Sequence, residues 1–158
     1  MLPAVIVSIV IIGVLVSSFQ VELGLMKPGK GERAALAAVA GARDLSSGDG
    51  AEDYAAFSQA LLAATVAQKT AAPTNAADTR VDNLLAEAID CLYALREAWQ
   101  AEIESTWDPQ TYGTPSYWNV LHPALRIASD GPLSPADVRR LGAEQATELI
   151  EQAAGLTD

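Results

Sequence analysis

His122, the single histidine of the chain, and a run of carboxylates before it are the residues whose types could do chemistry. The acids are Glu87, Asp90, Glu97, Glu102, Glu104 and Asp108. Asp90, Glu97 and Glu104 recur every seven residues and Glu87 stands three before Asp90, so on a helix these four share a stripe. Acids on one stripe suit general acid–base work or a hard cation, and an imidazole suits proton transfer or axial ligation. Each reading lacks its second half. A di-iron bundle needs Glu-x-x-His pairs on facing helices, and no Glu stands three residues before His122. A zinc site needs more His and Cys ligands than this chain has. Haem ligation by His122 has no CxxCH beside it, and Pro123 follows directly. No GxxxxGK[ST] or GxGxxG loop occurs to cradle a nucleotide, and no Ser lies in a nucleophile elbow. The acidic stripe therefore reads as a solvated polar face. No catalytic, metal or cofactor-binding residue is assigned, and no cofactor is expected.

His122 also belongs to a segment unlike its surroundings, WDPQTYGTPSYWNVLHPAL, residues 107–125. It gathers Trp107, Tyr112, Tyr117, Trp118 and His122 in a chain that is only 6% aromatic. Asp108-Pro109 and Gly113-Thr114-Pro115 are turn chemistry, Pro115 suits a helix start, and Pro123 ends or kinks whatever precedes it. The sequence leaves two readings open. The segment is a plug whose rings fill volume that Ala-rich helices leave empty. Alternatively, Trp107, Tyr112, Tyr117, Trp118 and His122 form a partner-docking surface, because Trp and Tyr concentrate interface energy. On a short helix Tyr117 and Trp118 point about 100° apart. At least one of them is therefore expected to be available to a partner.

The elements that must position these residues are helical. Gly31–Asp44 is Ala-rich, with Leu36, Val39 and Ala40 at helical spacing. Ser46–Gly50 breaks it. Ala51 to about Thr70 places Tyr54, Phe57, Leu61 and Ala64 on one face. After a loop over 71–79, with Asp78 or Thr79 as cap, a helix from Arg80 to about Ser105 carries a heptad seam. The seam comprises Val81, Leu85, Ala88, Leu92, Leu95 and Trp99. A final helix starts at Ser134-Pro135-Ala136-Asp137 in capping-box style and ends at Gly155. Gly142 interrupts its apolar stripe, which would let a neighbour approach closely. No stretch alternates long enough for a strand, and no 34-residue repeat indicates a solenoid.

The formal net charge of −10 repels phosphate backbones, so nucleic-acid binding is not expected. One cysteine, Cys91, precludes an intramolecular disulfide and a CxxC motif, and it reads as a small buried hydrophobe.

The N-terminus differs from everything after it. Leu2–Phe19, LPAVIVSIVIIGVLVSSF, carries no charge, and its eighteen residues span roughly 27 Å as a helix, close to a bilayer's hydrocarbon thickness. The missing basic n-region and the length argue against a cleaved signal peptide. Lys27, Lys30, Arg33 and Arg43 follow closely, which places the N-terminus outside and the remainder in the cytoplasm, with the opposite orientation as the alternative. Ala4 with Ser8, and Gly13 with Ser17, are small residues four apart, suited to helix contact in the membrane.

The sequence thus predicts an all-α protein: one N-terminal transmembrane helix, then a small antiparallel helical bundle with an irregular aromatic-rich segment. The anchor covers 1–27, a juxtamembrane basic turn and short helix 28–50, and the soluble bundle 51–158. The function expected is that of a non-catalytic accessory or assembly subunit in the inner (plasma) membrane. Its partners would be integral membrane subunits and lipid. The alternative is a tethered adaptor recruiting a soluble protein.

Overall fold

The structure, a computed structural model, describes residues 27–158. The expected transmembrane helix, with Ala4, Ser8, Gly13 and Ser17, lies outside the described residues. Among the described residues, no helix is long and apolar enough to cross a membrane. These residues form five α-helices and no strand: α1 Lys30–Leu45, α2 Ala51–Thr70, α3 Ala76–Ile103, α4 Pro115–Leu121 and α5 Pro135–Gly155. A single 3-10 turn, Pro123–Leu125, follows α4.

The period of the apolar residues becomes packing. Val81, Leu85, Ala88, Leu92, Leu95 and Trp99 are all buried on α3, which runs through the centre. α1 contributes Ala35, Val39 and Ala42 to the core, α2 contributes Phe57, Leu61 and Ala64, and α5 contributes Val138, Ala146, Ile150 and Ala153. Trp99 stacks on Phe57 at 5.8 Å, meets Tyr54 edge-on at 5.7 Å, and lies under the Arg139 guanidinium at 4.2 Å. Small residues set the spacing. A Cβ at Gly142 would stand 2.8 Å from the Cys91 carbonyl oxygen and 3.0 Å from Leu95 Cβ. The gap in the α5 stripe therefore lets the α3 backbone pack directly on α5 at this point.

Helix ends fix the directions. Arg139 at the start of α5 bonds Glu102 at the end of α3, so these two run antiparallel. The start of α1 packs on the end of α2, with Gly31 against the Ala71 backbone. One end of the bundle thus gathers the start of α1, the α2–α3 connection and the end of α5. The other gathers the α1–α2 turn, the end of α3 and the start of α5, tied by Arg139 Nη2 donating to the Gly48 carbonyl at 2.8 Å.

The start of α5 matches the sequence reading. Ser134 accepts from the Asp137 N–H, and Asp137 returns the bond to the Ser134 N–H. The start of α3 does not. Asn75, not Asp78 or Thr79, is the N-cap, and the helix begins at Ala76. Asp78 sits in the first turn instead, only 1% exposed. Its Oδ1 accepts from the Gly29 N–H at 2.9 Å. Its Oδ2 accepts from the Thr74 N–H, the Thr74 hydroxyl and Asn75 Nδ2 at 2.8–3.0 Å. The carboxylate is thereby spent on tying the chain entering α1 to the α2–α3 connection, and Asn75 is left to cap.

Candidate functional site: an acidic stripe that holds an aromatic strap

The stripe on α3 and the aromatic segment, read separately in the sequence, are one structure. Residues 104–134 leave the end of α3, fold back along its length and return to α5. Thr111, Tyr112 and Thr114 are held by turn bonds to Asp108 and Thr111. Gly113 is required here: a Cβ would lie 3.0 Å from the Pro109 carbonyl carbon and closer still to its oxygen. The Gly113 carbonyl also accepts from the Leu133 N–H at 2.9 Å, closing the strap's base. α4 then starts with Pro115 in its first turn and ends before Pro123.

Three of the stripe's acids grip the strap. His122 Nδ1 lies 2.8 Å from Asp90 Oδ1, and its Nε2 lies 3.3 Å from Glu97 Oε2. Asp90 Oδ2 accepts from the Ala124 N–H at 3.2 Å, and Glu97 Oε1 accepts from the Tyr117 hydroxyl at 2.6 Å. Further along, Arg126 donates to Glu87 at 2.9 Å. Glu104 lies outside this set and accepts from Gln100, while Glu102 pairs with Arg139. One additional clamp holds the strap: Asn119 exchanges two bonds with the Ile127 backbone.

The rings divide as their spacing on a helix requires. Trp118 is fully buried and donates to the Tyr112 carbonyl at 2.7 Å. Trp107 stacks on it at 6.1 Å and His122 on its other side at 6.1 Å. Tyr117 meets Trp118 edge-on at 5.1 Å and stays half-buried, as do Trp107, Tyr112 and His122. All five rings named in the sequence therefore meet in one cluster. Sequence reasoning missed the two side chains that the strap turns outward, Val120 at 79% and Leu121 at 50% exposure. Only Val120 carried a signal: two positions after the buried Trp118 it lies about 200° round the helix, whereas Leu121, three positions on, lies only about 60° away and carried none.

An imidazole between two carboxylates is bonded at both nitrogens only when both carry protons. Burial disfavours that charge, but bonds to Glu97 and Asp90 outweigh it and raise the His122 pKa from its ordinary 6.5. Glu97 is held below its ordinary 4.5 by the His122 bond, against burial and with help from the Tyr117 hydroxyl. Burial and the Glu97 carboxylate raise the Tyr117 phenol, which stays a donor. With both nitrogens engaged, His122 has none left to abstract a proton. No Ser, Thr or Cys bonds it among the described residues. The three donor groups face one another rather than a common point, and no metal-holding cluster occurs among the described residues. This geometry fastens the strap to α3.

The fastening depends on pH in two directions. The raised His122 contributes fully below about 6.5, and the contribution is lost as pH rises through its folded value. The lowered Glu97 contributes fully above about 4.5 and is lost as pH falls through its folded value. The melting temperature of wild type should therefore exceed that of His122→Gln most between about 4.5 and 6.5. The gap should narrow on either side. A constant gap across pH would detach the histidine from the clamp.

Comparison with models of known families, with curated proteins and with solved structures finds no match.

Proposed function

We propose that the chain is a non-catalytic accessory or assembly subunit of a larger membrane complex. In this reading the uncharged Leu2–Phe19 segment spans the membrane with the N-terminus outside. The bundle docks a partner subunit through α4. The observation that carries the docking role is Val120 and Leu121, two large aliphatic side chains exposed side by side on a short helix clamped from behind. Trp118, Tyr117 and His122 supply the backing: they fasten α4 so that little conformational freedom remains to be lost when a partner covers it. Adjacent apolar side chains on a rigid support suit the centre of an interface with an apolar groove. The apolar anchor and the basic residues after it favour a membrane complex over a soluble partner.

The test pairs two readouts on Val120→Asp and Leu121→Asp in the full chain. Both side chains are exposed, so melting should stay within about 0.5 kcal/mol of wild type. Retention of co-purifying membrane subunits after mild detergent solubilisation should fall by at least about thirtyfold in affinity, as for an interface hot spot. Unchanged retention in both folded variants would remove α4 as the docking face. Loss of retention in Leu62→Asp instead would move that face to α2, where Leu62 and Val66 are also exposed. A soluble protein as the only companion would favour the tethered adaptor.

A further inference from the structure

We infer that the end of the bundle where the N-terminal segment enters is a docking face for anionic lipid headgroups. The inference rests on the membrane reading above and adds the partner and the orientation. Three contacts bring the relevant elements together: Gly31 against Ala71, the Gly29 N–H on Asp78, and Lys27 Nζ on the Asp158 carbonyl at 2.9 Å. Lys27, Lys30, Arg33, Lys69 and Arg80 therefore share one end, and all five are exposed. They comprise every lysine of the chain and half of its ten basic residues.

Their pairing sets them apart. Of the other five, Arg43, Arg126, Arg139 and Arg140 are in ion pairs, and Arg96 lies over the Tyr93 ring. Among the described residues none of the five pairs with a side-chain carboxylate, and only Lys27 is engaged, by the Asp158 main-chain oxygen. The acids here are mostly withdrawn. Among the described residues, Glu32 and Asp78 are buried and Asp82 accepts from Gln68, which leaves Glu151 and Asp158 exposed. The opposite end exposes Asp44, Asp49, Glu52, Asp53, Glu102 and Glu104. A body with unpaired cations at one end and carboxylates at the other turns its basic end toward an anionic surface and is pushed from it by the acidic end. The anchor leaves from that same basic end. Tether and charge thus select one orientation, with the α2–α3 connection against the headgroups.

The full chain, reconstituted in vesicles of phosphatidylcholine alone or mixed with phosphatidylglycerol, tests this by amide exchange. Exchange over residues 71–75 and 30–33 should slow several-fold in the phosphatidylglycerol vesicles at low salt. High salt should restore the phosphatidylcholine rate, because such contacts are screened. The double variant K69E/R80E, which loses no ion pair, should melt like wild type and exchange equally in both lipids. Equal exchange of wild type in the two lipids, or slowing that persists in high salt, overturns the inference. Alkaline extraction of the same vesicles reads the anchor separately. A chain extracted from both lipids but slowed on phosphatidylglycerol keeps the docking face and loses the anchor. A chain that resists extraction without slowing does the reverse. A chain that floats with neither vesicle sinks both.

Discussion

Trp118→Ala should destabilise the bundle by roughly 3–5 kcal/mol, the cost of deleting a buried Trp. The ring is 0% exposed and lies between Trp107 and His122. Removing it opens a cavity beneath α4 and unstacks two rings at once. It also frees the Tyr112 carbonyl, which accepts the indole N–H at 2.7 Å. Trp118→Phe keeps most of the apolar area and loses that bond, so its cost should be smaller, about 1–2 kcal/mol. Chemical denaturation of both variants separates packing from hydrogen bonding. A Trp118→Ala loss below about 1 kcal/mol would mean that the ring is not holding the strap.

Asp78→Ala should cost about 3 kcal/mol, from a different cause. It deserts four donors on two stretches of chain, and a buried donor left unpaired costs about 1–3 kcal/mol. Bonds from the Thr74 backbone foremost hold the carboxyl below its ordinary 3.8, against burial, with the Thr74 hydroxyl, Gly29 and Asn75 adding to them. A lowered carboxyl stabilises above its unfolded pKa and stops doing so as pH falls through its folded value. Wild type should therefore lose stability below about pH 4 more steeply than Asp78→Asn does. Parallel acid limbs for the two proteins would show that the carboxylate's charge is not what ties α1 to the α2–α3 connection.

Legibility in the sequence followed the range of the interactions. The capping box at Ser134 lies within four consecutive residues, and the seam from Val81 to Trp99 repeats along one helix, so pattern alone placed both. The interruption at Gly142 likewise announced a close approach, because only another backbone or a neighbour's Cβ uses the space of a missing side chain. The start of α3 was misplaced because Thr74, Asn75, Asp78 and Thr79 all have capping chemistry. Choosing among them required knowing that the Gly29 N–H competes for Asp78, a contact from 49 residues away. The largest misreading was the acidic stripe. Nothing within residues 87–104 reveals that these acids face a histidine, a tyrosine and an arginine twenty or more positions downstream. Charge balance carried a hint, since His122 and Arg126 are the only basic candidates in residues 104–134. Seven-residue spacing showed that the acids share a face, while tertiary folding decided what lies across from it.

The burial of Cys91 gives the chain a built-in clock for its own opening. The thiol is fully covered where α3 packs against Gly142 of α5. Burial foremost, then Asp90 and Glu87, pushes its pKa up to about 12. Thiolate is the reactive form, so a disulfide reagent at neutral pH finds almost nothing to attack while the seam is shut. When the seam parts, water returns, the burial that dominates the shift is relieved, and the thiol moves back toward ordinary acidity. The labelling rate then measures how often α3 and α5 separate, without any introduced probe. With only one cysteine in the chain, every modified molecule records the same event.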